Sequence, residues 1–335
     1  LREVLKTLPA FAKDYFRAIE PTTSTKTRIS YAYDIRIFFQ FLISQNPSLA
    51  KIGIPNLNVS VLDQLKPIDI EEYMEYLKLY DSPNDQTTIT NGERGLKRKI
   101  SSLRSFYTYY YKRQAIETNP VQLVDMPKIH DKAIIRLDAG ETAALLDYIE
   151  HCGDQLTGQR KAYYEKTKLR DLAIVTLLLG TGIRVSECVG LDVEDIDFRN
   201  NGIRLIRKGG SEMVVYFGPE VEKALKDYLE ARKAISPLEG HEHALFYSTQ
   251  RKRIGVQAVE NLVKKYARAI TTTKKITPHK LRSTYGTTLY QETGDIYLVA
   301  DVLGHKDVNT TKKHYAAMDD ARRRKAATAI RLRED

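Results

Sequence analysis

A chain of 335 residues, 42% hydrophobic and 29% charged, has the composition of folded domains and, at roughly 150 residues each, the length for two of them. Its 53 Lys and Arg against 43 Asp and Glu leave a net charge of +10, which favours a polyanionic partner, either nucleic acid or an anionic membrane surface. These values exclude a disordered chain and a collagen-like repeat.

Residues 1–125 are expected to form a helical domain. Tyr31, Ile35, Phe38, Phe39 and Leu42 recur at helical spacing behind Thr22-Thr23-Ser24-Thr25, a stretch rich in N-cap residues. A second helix is expected over 68–80, stopped by Ser82-Pro83-Asn84-Asp85, and a third over 94–111, opened by Asn91-Gly92. Asn119-Pro120 closes the bundle. The segment 126–132 carries a proline, two lysines and His130 without periodicity and is the expected linker.

The second domain, 133–335, opens on Asp138-Ala139-Gly140-Glu141, a capping pattern ahead of Ala143, Leu145, Leu146 and Ile149. A nearly all-apolar helix over 169–179 should lie at its centre. The longest apolar run, 172–180, falls well short of the roughly 20 residues of a bilayer span, and no N-terminal stretch has the order of a signal peptide. A cytoplasmic protein with no membrane partner is therefore expected. Cys152 and Cys188 give neither a disulfide framework nor zinc-ligand spacing, so neither metal nor other cofactor is expected. Ile203, Leu205, Lys208-Gly209-Gly210 and Met213 to Tyr216 predict a hairpin over 202–217. Helices are expected again over 219–235, 256–270, 279–293 and 297–303, with no repeat of 20–50 residues, so the fold class is mainly α with a small antiparallel sheet. The chain starts at Leu1, which leaves room for a piece removed ahead of it.

The helix over 94–113 carries Arg94, Lys97, Arg98, Lys99, Arg104, Lys112 and Arg113 interleaved with Phe106, Tyr107, Tyr109, Tyr110 and Tyr111. Each Lys or Arg set against a phosphate releases condensed counterions. Arg94, Lys97, Arg98, Lys99 and Arg104 are therefore candidate DNA contacts, with Arg207 on the hairpin; a solvated basic face over an aromatic core is the plainer alternative. The run Arg322-Arg323-Arg324-Lys325 fits a solvated tail on the same grounds.

Four further segments share an order: Thr181-Gly182-Ile183-Arg184-Val185-Ser186-Glu187, Arg207-Lys208-Gly209-Gly210, Thr277-Pro278-His279-Lys280-Leu281-Arg282, and Leu303-Gly304-His305 with Thr310-Thr311-Lys312-Lys313-His314-Tyr315 behind it. Singly, each has an ordinary reading as a helix end, a turn lysine or one of 21 tyrosines. Jointly, they resemble the tyrosine recombinase (phage integrase) family. The likeness is closest to the Xer-type site-specific recombinases through Arg170-Asp171-Leu172-Ala173-Ile174 and the Arg-Lys-Gly-Gly hairpin, and it extends loosely over the N-terminal bundle. The His305–Tyr315 interval is one residue longer than the commonest family spacing, and Ser283 stands where the family often has a second histidine.

The resemblance implies a set of roles that chemistry can rationalise. Attack of a phenol on a DNA phosphodiester builds negative charge on a pentacoordinate phosphorus, which cations must offset. Arg184 and Arg282 are expected to fork N–H groups onto the phosphate, His279 to accept the nucleophile's proton, His305 to complete the shell by hydrogen bonding, Lys208 to protonate the leaving 5′ oxygen, and Tyr315 to form a 3′-phosphotyrosyl bond. Glu187 is expected to be structural. The implied architecture is a C-shaped clamp of a helical core-binding (SAM-like) domain and a catalytic domain on double-stranded DNA. Four protomers would work on two synapsed sites through a Holliday junction, the tail 321–335 docking on a neighbour, an accessory protein being a further candidate partner. A bacterial, nucleoid-associated protein that resolves chromosome dimers is the first expectation; an integrase or excisionase of a phage or mobile element is the alternative, and a DNA-binding regulator without catalysis a more distant one. Metal-dependent relaxases need a His-hydrophobic-His pair, for which His241-Glu242-His243 is the only comparable string, and type IB topoisomerases share the chemistry but match this two-domain chain less well.

Overall fold

Two short helices, α1 (Arg2–Leu5) and α2 (Ala12–Ala18), lead into α3 (Thr25–Gln45), which starts where the Ser24 hydroxyl accepts the Thr27 amide at 3.2 Å. The computed structural model describes residues 1–81, 87–130, 134–207, 210–305, 307, 308 and 311. The chain divides into two units, Leu1–Lys132 and Ala133–Asp335, each with its own hydrophobic core.

In the first unit the stripe of α3 is buried at Ile35, Phe38, Phe39 and Leu42, with Tyr31 at its margin. Helix α4 (Pro47–Ile52) follows at once, capped by the Asn46 side chain with Pro47 at its first position. Helix α5 (Pro67–Tyr76) is shorter than its apolar pattern predicts. Leu79–Asp81 (β1) instead pairs antiparallel with Thr88–Thr90 (β2), Tyr80 opposite Ile89, and Tyr80 stays buried by stacking on Tyr76 at 5.3 Å. An apolar residue at the right place satisfied the helical pattern while sitting in a strand. The tetrad Ser82 to Asp85 lies outside the described residues. Helix α6 (Glu93–Lys112) and α7 (Pro120–Leu123) complete the unit. Phe106 is its hub: its ring meets Tyr15 at 5.1 Å, Phe39 at 6.1 Å and Tyr110 at 5.0 Å, all edge-on, the arrangement that ring quadrupoles favour.

The second unit opens with α8 (Ala139–His151), where Asp138 accepts the Glu141 amide and Glu141 accepts the Asp138 amide, both at 2.8 Å. Helix α9 (Gly158–Thr181) holds the all-apolar stretch at its end, buried from Ala173 to Leu178, and packs against α8 and four later helices, as a central helix must. It starts well before the expected position: its first turns are mostly charged, and their buried positions, Tyr164 and Thr167, are too few to show an apolar stripe. After α10 (Val185–Gly190), a three-stranded antiparallel sheet forms in the order β3 (Ile196–Asp197), β4 (Gly202–Ile206), β5 (Glu212–Tyr216). Its register sets Ile203 opposite Val215 and Leu205 opposite Met213, so one face is buried and one exposed. Strand β3 is the addition to the predicted hairpin; two residues are too few to show alternation. Helices α11 (Pro219–Arg232), α12 (Val256–Ile270), α13 (Pro278–Thr293) and α14 (Ile296–Leu303) follow. The fold is mainly α with small antiparallel sheets. Among the described residues no helix is long and apolar enough to cross a membrane.

The aromatic hub gives a direct stability test. Phe106→Ala should destabilise the first unit by about 3–5 kcal/mol, the cost of emptying a buried aromatic site, whereas Tyr111→Ala, at a ring 46% exposed on the same helix, should change it by less than about 0.5 kcal/mol. Denaturant unfolding of the two variants checks this; equal losses would contradict it.

Candidate active site

A helix leaves its last carbonyls without intrahelical partners, and those of α14 can be accounted for one by one. The helix ends at Gly304, in the left-handed region at φ +59°, where glycine has no side-chain penalty. The His305 amide donates back to the Ala300 carbonyl at 2.9 Å and the Gly304 amide to the Asp301 carbonyl at 2.7 Å, the pair of hydrogen bonds of a Schellman end. Three successive carbonyls remain, and three arginines from distant parts of the chain take them. Arg207 donates to Val302 O at 2.8 Å, Arg282 to Leu303 O, and Arg184 to Gly304 O at 3.4 Å. The negative end of the helix dipole favours cations at this point.

Each arginine reaches the carbonyls from a defined support. Arg184 follows Gly182, the left-handed residue that ends α9 at φ +63°; a side chain there would meet Tyr285 at 2.3 Å. Arg184 then starts α10, and Glu187 holds it twice: one carboxylate oxygen accepts the Arg184 amide at 2.7 Å, the other its guanidinium at 2.8 Å. The Glu187 side chain is only 8% exposed and that of Arg184 40%, so the carboxylate anchors a cation whose other donors stay reachable. Arg282 is 5% exposed on α13 and bridges Gly182 O and Leu303 O, tying the Arg184 turn to the Gly304 turn. Arg207, at the turn end of the β4–β5 hairpin, lies directly over Gly304: a Cβ there would overlap its guanidinium. Burial pushes the Arg207 pKa below its ordinary value, Arg184 adding to the effect and Glu187 and Asp301 opposing it.

Among the described residues a cleft of about 1440 Å³ opens here, lined by Arg184, Arg204, Arg207, Gly304 and His305 together with Glu187 and four aspartates. His305 is half-buried, its Nδ1 2.7 Å from the Thr311 hydroxyl. His279 is exposed in the first turn of α13, three residues ahead of Arg282, and does not line the cleft. The structure thus brings Arg184, Arg282 and His305 to one helix end. Lys208 and Tyr315, and the tail 321–335, lie outside the described residues. Arg207, read from sequence as a DNA contact, stands in this cluster and lines the cleft. The signal for that was absent from its own segment: it lies in Gly304, the residue that makes room for it.

The basic stretch of α6 separates into two groups. Lys99 is buried and donates to Asn91 Oδ1 at 2.8 Å; Arg104 donates to the Val121 and Val124 carbonyls at 3.1 and 2.9 Å; Arg98 pairs with the buried Asp34. Burial raises the Asp34 pKa and lowers that of Lys99. Lys99 and Arg104 spend donors inside the unit: sequence spacing shows which residues are basic, and their long stems let them turn inward to carbonyls and amides. Arg94 stands exposed, Arg98 keeps 46% of its side chain exposed while held by Asp34, and Lys97 is half-buried. The string His241-Glu242-His243 sits in a loop where His243 meets Glu194 at 2.8 Å. Both cysteines are buried and unpaired, and burial pushes the Cys188 thiol up to about 12.

The sequence profile of the phage integrase family matches residues 136–322. The chain is 32% identical over 346 aligned positions to the tyrosine recombinase XerC of Caldanaerobacter subterraneus subsp. tengcongensis, spanning 99% of this chain and 90% of that one. It is 29% identical to the tyrosine recombinase XerS of Streptococcus equi subsp. zooepidemicus, over 96% and 95% of the two chains. Among solved structures, the XerH site-specific recombinase bound to a palindromic difH substrate superposes with a TM-score of 0.67 at 19% identity, covering 90% of this chain and 79% of that one. The Tn1549 transposon integrase bound to transposon right-end DNA gives 0.66 at 22% identity, over 94% and 98%. At these identities the structural likeness is one of fold.

Glu187 makes the site's support testable without substrate. Glu187→Gln keeps an oxygen for the Arg184 amide and removes the charge beside its guanidinium. It should lower the stability of the second unit by about 1–2 kcal/mol, the scale of a charged hydrogen bond, measured as a shift in denaturant midpoint. An unshifted midpoint would show that the pair does not hold the turn.

Proposed function

Because the chain belongs to the phage integrase family, we propose that it recombines DNA at a specific site, cutting and rejoining strands through a 3′-phosphotyrosyl intermediate and a Holliday junction. The observation that carries this reading is the gathering of three guanidiniums at the end of α14, beside His305. Each terminal guanidinium nitrogen bears two N–H groups. In Arg184 and Arg282 one can hold a carbonyl while the other faces a phosphate oxygen, so the cluster is set in place before the phosphate arrives, and preorganised charge is what a phosphorane-like transition state rewards.

In this reading Tyr315 attacks the phosphorus, His279 accepts the phenolic proton, Arg184 and Arg282 take the non-bridging oxygens, His305 donates to one of them, and Lys208 protonates the departing 5′ oxygen. The 3′-phosphotyrosyl bond conserves the energy of the phosphodiester, so rejoining needs neither ATP nor metal. Both units, joined by the 126–132 linker, bind the duplex, and four protomers pair two sites, with the tail 321–335 docking on a neighbour. The curated relatives named XerC and XerS, matched over nearly their full length, support an Xer-like programme of chromosome dimer resolution by a cytoplasmic, nucleoid-associated enzyme.

Incubating the protein in EDTA with a nicked half-site taken from DNA flanking its gene should yield a covalent protein–DNA adduct, and Tyr315→Phe should abolish it. An adduct that needs a divalent cation, or binding with no adduct, would overturn the mechanism. A second test separates the basic residues of α6. Arg94→Ala should reduce the slope of log affinity against log salt by about 1, as expected for one phosphate contact. Arg104→Ala should leave that slope unchanged and lower stability by about 1–2 kcal/mol through two lost hydrogen bonds.

A further inference from the structure

Arg207 stands apart from the other two arginines of the cluster, because it comes from the β4–β5 hairpin and not from the helices that carry Arg184 and Arg282. Its backbone closes the hairpin: the Arg207 amide donates to Ser211 O at 2.8 Å, and the Gly210 amide donates to Arg207 O at 2.9 Å. Its side chain leaves the hairpin for the end of α14, lies over Gly304 and donates to Val302 O at 2.8 Å. The glycine is required twice over, by its backbone at φ +59° and by the guanidinium that fills the space of a Cβ. Arg207 Nε is buried with no hydrogen-bond partner. A buried N–H left unmade costs about 1–3 kcal/mol, so the side chain is held there by its fit and its one carbonyl rather than by full satisfaction.

We propose that Arg207 is a positioning residue that seats the turn end of the β4–β5 hairpin on the Leu303-Gly304-His305 turn, and so serves the proton transfer that the functional reading assigns to the next residue, Lys208. This rests on the functional reading above, in which the bond from the Tyr315 oxygen to phosphorus forms, the bond from phosphorus to the 5′ oxygen breaks, and a proton passes from the Lys208 ammonium to that oxygen. The turn lies beyond the last ladder pair, Ile206 opposite Glu212, and a lysine has four rotatable bonds, so an acid carried by the turn needs the turn fixed. An arginine that spans two elements with a planar, multiply donating end suits that task in a way a lysine does not.

The assignment separates positioning of the acid from holding of charge through the leaving group. A DNA half-site whose scissile 5′ bridging oxygen is replaced by sulfur departs as a thiolate, which needs no proton because thiols are far more acidic than alcohols. Single-turnover cleavage of the oxygen and sulfur substrates is compared for wild type, Arg207→Ala, Arg207→Met and Lys208→Ala. Arg207→Ala is expected to slow the oxygen substrate by about 30-fold or more, within the range general-acid catalysis supplies, and to cleave the sulfur substrate within about threefold of wild type, as Lys208→Ala does. Arg207→Met, which keeps the stem over Gly304 and removes the hydrogen bond, should show the same pattern and guards against loss of folding. Equal slowing on both substrates, or no slowing on either, overturns the inference and leaves the recombinase reading intact. Lys208→Ala that sulfur does not rescue removes the acid assignment and the inference with it. Absence of any adduct with wild type is the separate failure of the functional reading itself.

Discussion

The site depends on one physical requirement: the carbonyls at the end of α14 must find donors. The Schellman bonds satisfy two of them, and the next three are exposed to whatever can reach Gly304. Guanidiniums meet that need at a point where the helix dipole already favours positive charge, and in doing so three like charges are brought together that would otherwise repel. Glu187, buried against Arg184, offsets one of the three, so the cluster remains a net cation facing the cleft. Structural satisfaction of a helix end and the collection of charge for chemistry are here the same set of hydrogen bonds.

The same device recurs where no chemistry is expected. Arg104 takes the Val121 and Val124 carbonyls at the end of α7, and Arg253 takes those of Val189 and Leu191 at the end of α10, with Asp192 beside it. A chain of net charge +10 therefore does not present all its basic residues to a polyanion; a share of them closes helices. What distinguishes the α14 cluster is convergence: three arginines from α10, the hairpin and α13 meet on consecutive carbonyls, and no single one would make a site.

Local order was legible where the signal is local. The stripe of α3, the Asp138–Glu141 capping box, the glycine-turned hairpin and the span of α12 follow from spacing and cap chemistry alone. The ordered motifs also marked Arg184, Arg282 and His305, which the fold then brings to one helix end. The rest was hidden because it is non-local. Tyr80 fits a helical stripe and lies in a strand, since its burial comes from stacking on Tyr76. The first turns of α9 are mostly charged, and Tyr164 alone among their apolar residues is buried. Asp34 and Arg98 meet across 64 positions, so nothing near Arg98 announces that it is held. Arg207 could be placed only by seeing that Gly304, 97 positions later in the numbering, leaves a space its guanidinium fills.

The most direct test of this account is a crystal structure of the Tyr315→Phe protein on its uncleaved site. The account predicts that Arg184, Arg207 and Arg282 keep the carbonyls of Gly304, Val302 and Leu303, and that further N–H groups of Arg184 and Arg282 stand about 3 Å from the oxygens of one phosphate. Arginines that leave those carbonyls to reach the DNA, or a scissile phosphate held by cations from elsewhere in the chain, would contradict it.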